Sequence, residues 1–195
     1  MVITFLFWNN LMDNYLFCID AGFVATGISL FKVNGGKFVF TGCMTSVTKK
    51  SDKKKQVRVA DDDSERIKKI IIDIDEFIKP YEHQRIMAAV ELPTGGAQGA
   101  RANRTMGMIT GAMVTYLRMK GWPAEYVTPN DVKVAVTGNR KASKDKIMNL
   151  IRKKLKKYNH LLPSSKAEFE HVADSVGVAL HIKRHSEMFR ILTQG

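Results

Sequence analysis

Tyr15, Leu16, Phe17, Cys18 and Ile19 form a continuous apolar run that ends on Asp20 and turns at once through Ala21 and Gly22. A run of this length before a glycine turn fits a strand buried on both faces. An ionised carboxylate at its end is costly unless a cation or a hydrogen-bond network compensates it. A fold built around this strand must therefore give Asp20 a partner, and a metal, a phosphate and a purely structural network are the candidates.

Thr26 to Val33 reads as a second strand, Asn34-Gly35-Gly36 as a hairpin turn, and Lys37 to Cys43 as a third, so the chain starts with an antiparallel meander. Lys49 to Arg58 has no apolar face and reads as a loop or as a strand edge with a mobile flank. Asp61, Asp62, Asp63 and Ser64 precede an amphipathic helix with its stripe at Ile67, Ile70, Ile71, Ile74, Phe77 and Ile78, ended by Pro80. Arg85 to Val90 is another buried strand, ending at Glu91, and a glycine-rich loop follows from Pro93 to Gly99. Helices are predicted over 103–120, 131–136, 143–157 and 166–185, with a short strand at Ala124 to Val127. The order βββ-α-β-α-β-α-α-α indicates an α/β fold, a mixed sheet with helices on its faces. One domain over 15–185 accounts for the chain, with an N-terminal extension at 1–14 and a tail at 186–195. Asn9, Asn10 and Asp13 interrupt the apolar start, and Met12 is an alternative first residue.

The net charge is +12, unevenly spread: residues 131–160 hold ten Lys or Arg against two Asp, and Lys49 to Arg58 six against one. Two basic blocks point to a polyanion, with nucleic acid ahead of an anionic membrane surface. Cys18 and Cys43 offer neither zinc spacing nor a disulfide framework, which suits a reducing cytoplasm. No stretch has the length and apolarity of a membrane span.

Three acids share one property: each interrupts an apolar pattern. Asp20 ends the first strand, Glu91 ends the fourth, and Asp174 sits among Val172, Ala173 and Val176. His171, three residues earlier, shares the helical face of Asp174. One such acid is ordinarily a turn former or a cap, and a lone histidine is ordinarily packed or solvated. Three carboxylates gathered from two strand ends and a helix would repel one another and raise their proton affinities unless cations were bound. Hard oxygen donors favour Mg²⁺ or Mn²⁺, and two ions about 4 Å apart serve phosphodiester hydrolysis.

At these residues the chain resembles the RuvC-type Holliday-junction resolvases of the ribonuclease-H-like superfamily. The matching pieces stand in family order: Ile-Asp-Ala-Gly with Thr-Gly at 19–27, Ala-Val-Glu at 89–91 and Gly-Met-Ile-Thr-Gly-Ala at 107–112. They continue with Val-Thr-Pro and Asp-Val-Lys at 127–133, Val-Thr-Gly at 136–138, Ala-Ser-Lys at 142–144 and His-Val-Ala-Asp-Ser at 171–175. The resemblance covers Leu16 to His181. It implies a five-stranded mixed sheet whose first three strands are antiparallel, and a homodimer acting on four-way DNA junctions. It further implies metal-binding carboxylates at Asp20, Glu91 and Asp174, His171 as a fourth ligand, and two Mg²⁺ ions per site with Mn²⁺ as a substitute. Lys133 and Lys144 fall on family lysines that approach the DNA backbone near the cut.

Bacterial members carry an aromatic wedge shortly after the second acid. Here Leu92, Pro93, Thr94, Gly95 and Gly96 follow, and this loop cannot stack on a base as a phenylalanine would. Arg101 and Arg104, Arg140 and Lys141, and Lys53, Lys54 and Lys55 are expected to contact DNA. The extra basic segments suit a bacteriophage or plasmid homologue working in bacterial or infected-host cytoplasm. Two other readings stay open: a related nuclease for flaps, forks, three-way junctions or RNA–DNA hybrids, and a non-catalytic basic scaffold for branched DNA. The Asp-x-Gly turn is also similar to the first phosphate loop of actin-like ATPases, but the second loop those proteins need is absent.

Overall fold

Burial on both faces explains why the central strands are apolar throughout. In the computed structural model, which describes residues 12–52, 56–92 and 99–194, a five-stranded sheet runs in the order β3-β2-β1-β4-β5. The strands are β1 (Asn14–Asp20), β2 (Ala25–Asn34), β3 (Lys37–Val47), β4 (Arg85–Glu91) and β5 (Ala124–Val127). β1, β2 and β3 pair antiparallel, whereas β4 pairs parallel to β1 and β5 parallel to β4. This is the mixed sheet the resemblance implies. Gly35 and Gly36 both take positive φ, 51° and 70°, which a tight hairpin demands and glycine allows.

Each face of the sheet carries its own core. Phe17, Ile19, Ile28, Leu30, Ala88 and Val90 pack against α1 (Val59–Ile78) and α2 (Ala100–Met119). Leu16, Cys18, Phe31, Met87 and Ala89 face the opposite layer, α3 (Pro129–Thr137), α4 (Lys144–Lys154) and α5 (Lys166–His185). With both faces covered, neither parity of β1 can be polar until the strand ends.

Four details differ from the sequence-based expectations. β3 continues four residues past Cys43, to Val47. α1 begins at Val59, so Asp62 and Asp63 lie inside its first turns and are buried rather than preceding it. α4 stops at Lys154, and a 3₁₀ segment carries the chain from Lys156 to Leu161. The segment after 185 is no free tail: α6 (Glu187–Gln194) returns to the molecule and buries Phe189 edge-on against Phe38, with ring centres 5.3 Å apart. Residues 1–11, Lys53, Lys54 and Lys55, and 93–98 in the glycine-rich loop lie outside the described residues.

Candidate active site

β1 and β4 pair in register to their last residues, so Asp20 stands beside Glu91 at the carboxyl ends of two parallel neighbours. That edge is where open α/β sheets place their ligands. Asp20 has the parity of Leu16 and Cys18, and Glu91 that of Met87 and Ala89, so both carboxylates leave the sheet on the face covered by α5. Across β1–β2, Asp20 is opposite Gly27. A Cβ at Gly27 would lie 2.0 Å from the carbonyl oxygen of His171. Only glycine lets α5 rest this closely on the sheet, and that approach brings His171 and Asp174 to the strand ends. Gly177, one turn beyond Asp174, is similarly tight, because a Cβ there would lie 2.6 Å from Val132 Cγ1 on α3.

His171 Nδ1 lies 2.9 Å from Asp20 Oδ2. This hydrogen bond is the main reason the imidazole holds its proton more tightly than an ordinary histidine, against the pull of burial. With Nδ1 protonated, the ring donates to the carboxylate. Burial, then the neighbouring charges of Asp20 and Asp174, push the Glu91 carboxyl up to about 9. Burial, then Asp20, push Asp174 up to about 7. Lys144 opposes both shifts, and Lys133 opposes that of Glu91, so both ammonium groups act on the cluster. Among the described residues, Glu91 Oε2 is buried without a hydrogen-bond partner. These are the properties of a carboxylate cluster short of positive charge.

Three carboxylates, one imidazole and no thiolate form a donor set suited to a hard divalent cation. The unpartnered Glu91 oxygen supplies a free acceptor for it. Among the described residues, no three such side chains are drawn together closely enough to hold an ion as they stand.

The lysines arrive from the helical layer. Thr128 and Asp131 cap α3 reciprocally, fixing the helix that carries Lys133. Ser143 caps α4, whose first residue is Lys144. The Lys144 ammonium is bound to Glu170, which raises its proton affinity further. Arg140 and Lys141 are exposed between α3 and α4. Arg101 and Arg104 are half-exposed and engaged by Asp63, whose carboxylate is fully buried at the start of α1. The structure thus gives these two arginines an intramolecular partner that the sequence did not reveal. Sequence reasoning missed three contacts: Glu170 with Lys144, Asp63 with Arg101 and Arg104, and Gly27 with the backbone of His171.

Residues 16–181 match the family model described as crossover junction endodeoxyribonuclease RuvC. The chain belongs to the RuvC family. That membership makes it an endodeoxyribonuclease, a phosphodiester hydrolase, by class. Among individual RuvC proteins, the crossover junction endodeoxyribonuclease RuvC of Prosthecochloris aestuarii is 26% identical over 164 residues, covering 83% of this chain and 77% of that protein. The fold matches T. thermophilus RuvC in complex with Holliday junction substrate, with a TM-score of 0.65 at 22% identity over 92% of this chain and 96% of that one. A second Thermus thermophilus RuvC structure gives a TM-score of 0.63 at 21% identity, over 92% and 97%. The ribonuclease-H-like RuvC architecture is therefore the architecture of this chain. No helix among the described residues is long and apolar enough to cross a membrane.

Proposed function

We propose that this RuvC-family chain resolves four-way DNA junctions by cation-dependent hydrolysis of a phosphodiester, working as a homodimer. The observation that carries the reading is the close approach of α5, which bears Asp174, to Asp20 and Glu91 at the ends of β1 and β4, with the proton affinities of Glu91 and Asp174 raised. Two-fold symmetry in a junction gives a physical reason for two copies.

Asp20, Glu91, Asp174 and His171 would hold two Mg²⁺ ions, or Mn²⁺ in their place. Bound cations supply charge neutralisation at the phosphodiester and a more acidic attacking water. Asp20 is the central carboxylate of the set, contacted by His171 and paired with Glu91 along the sheet. Asp174 with His171 orients the attacking water. Lys133 and Lys144 offset charge on the scissile phosphate as it builds. In the net step, water oxygen bonds to phosphorus and gives up a proton, the phosphorus–oxygen ester bond breaks, and the departing oxygen takes a proton.

The basic face formed by Lys146, Lys153, Lys154, Lys156 and Lys157 is exposed and tracks the arms of the junction. Arg140 and Lys141 extend that track, and Lys53, Lys54 and Lys55, outside the described residues, would add DNA contacts of their own. Arg101 and Arg104 join it by sharing their half-exposed guanidinium groups between Asp63 and DNA.

A cleavage assay on four-way, three-way, flap and linear duplex substrates, with Mg²⁺ and with Mn²⁺, tests the reading. Preferential paired cutting of the four-way junction is expected. Equal cutting of all four substrates would replace it with a general nuclease.

A further inference from the structure

The Lys144–Glu170 ion pair sits on the rim of the carboxylate cluster. Lys144 opens α4, and Glu170 precedes His171 on α5. Glu170 lies one helical turn before Asp174, on the same face of α5. Its side chain is 26% exposed and that of Lys144 is 64% exposed, so the contact is open to solvent and to a ligand. Glu170 also acts electrostatically on Asp174 and His171, and Lys144 acts on Asp174, Asp20 and Glu91. One lysine is therefore shared between the cluster and an acid that the cluster does not include.

From this geometry we infer that Glu170 is an internal stand-in for the DNA phosphate. It holds Lys144 at the cluster's rim in the free protein and is displaced when a scissile-strand phosphate arrives. The inference rests on the nuclease reading given above and deepens it by assigning a positioning residue. A carboxylate and a phosphate drawn to the same ammonium repel each other, so a phosphate seated at Lys144 weakens the Glu170 contact. The competition disfavours loose binding of any passing phosphate and favours a strand delivered with enough additional contacts to displace the acid. Glu170 does not touch the reacting atoms. Its effect on the arriving phosphate runs through Lys144.

The test uses the full chain without divalent cation, so that binding is read with no cleavage. Glu170→Gln is expected to tighten four-way-junction binding roughly two- to fivefold, the range set by an exposed ion pair. The gain should shrink as salt rises, because salt weakens the pair it removes. Direct repulsion between Glu170 and DNA would also tighten binding in this variant. The two causes separate in the Lys144→Ala background, where the gain should vanish. A gain of equal size in that background, or no gain at all, overturns the inference. Glu168→Gln, which removes a nearby acid from the same helix, should leave the affinity unchanged; an equal gain there points to bulk charge and likewise overturns it.

A DNA-free measurement stands beside this. Competitive acylation read by mass spectrometry should find Lys144 protected in the parent protein and several-fold more reactive in Glu170→Gln. Equal reactivity overturns the inference. Failure of every variant, the parent included, to bind a junction would instead count against the nuclease reading, while the acylation contrast still decides whether Glu170 holds Lys144.

Discussion

Asp20 Oδ2 and His171 Nδ1 meet at 2.9 Å across 151 residues of sequence, joining the end of the central strand to the helix that covers it. The contact makes a charged or strongly polarised imidazole part of the resting site. Asp20→Asn keeps the shape and removes the charge. Cleavage of a four-way junction in Mg²⁺ should fall by at least about 10²-fold, with junction binding retained in gel-shift assays. Because the Asp20 contact is the main cause of the raised His171 pKa, an NMR titration of the variant should find that pKa lower. Retained cleavage would remove Asp20 from the reaction.

Glu91 sets the pH response of the cation-free protein. Its carboxyl ordinarily titrates at 4.5 but keeps its proton to about 9 in the fold. Below the lower value both folded and unfolded chains are protonated and Glu91 has no effect on stability. As pH rises between the two, only the unfolded chain releases the proton, so folding stability declines. Asp174, raised to about 7, adds a decline that begins near its ordinary value of 3.8 and ends earlier. Thermal melts in chelator should therefore show a falling Tm from about pH 5 to pH 9. Glu91→Gln should flatten that slope and raise Tm at pH 8 while abolishing cleavage. Added Mg²⁺ should stabilise the parent more at pH 8 than at pH 6.

Asp63 is fully buried with two half-exposed arginines on one carboxylate. Burial alone would raise its pKa, but the hydrogen bonds and charges of Arg101 and Arg104 overcome this and lower it. Asp63→Asn should cost about 1–2 kcal/mol in urea unfolding, since the arginines can return to water but the buried amide cannot. The same change releases Arg104 and leaves Arg101 only its longer contact with Asp62, at 3.9 Å, so junction affinity at low salt should rise. Unchanged affinity would show that neither arginine reaches DNA.

Phe189 tests whether the last helix belongs to the folded domain. It is 5% exposed and packs into the core layer beneath α5. Phe189→Ala should destabilise the protein by about 3–5 kcal/mol, as removal of a buried aromatic does. A change under about 1 kcal/mol, within the range of surface substitutions, would return the segment to the role of a dispensable tail.

The parts of the site that the sequence disclosed are those where one acid breaks an apolar pattern. Asp20, Glu91 and Asp174 each stand in a run whose other members are fixed by burial on both sides of the sheet. The parts that stayed hidden rely on contacts between distant segments. Asp63 looks like one of three helix-start carboxylates, and its partners lie 38 and 41 residues further on. Glu170 breaks no apolar run, because it stands between the buried Phe169 and the part-exposed His171, where α5 already alternates between core and rim. Phe189 sits in a segment too short to show its periodicity beside the break at Ser186. The order of elements along the chain followed from turn and period signals, whereas the end of β3 did not, because Met44 to Val47 carries no sharp polar stop.

Gly27 gives the site a fixed depth. Its hydrogen is the entire spacer between β2 and the backbone of His171, so the ceiling over the carboxylates rests on the sheet with no adjustable layer between them. Loosening α5 to admit a bulkier strand would draw His171 and Asp174 away from Asp20 together. The tolerance of the chemistry is thus set by a position that carries no chemistry, and fold and reaction share one mechanical stop.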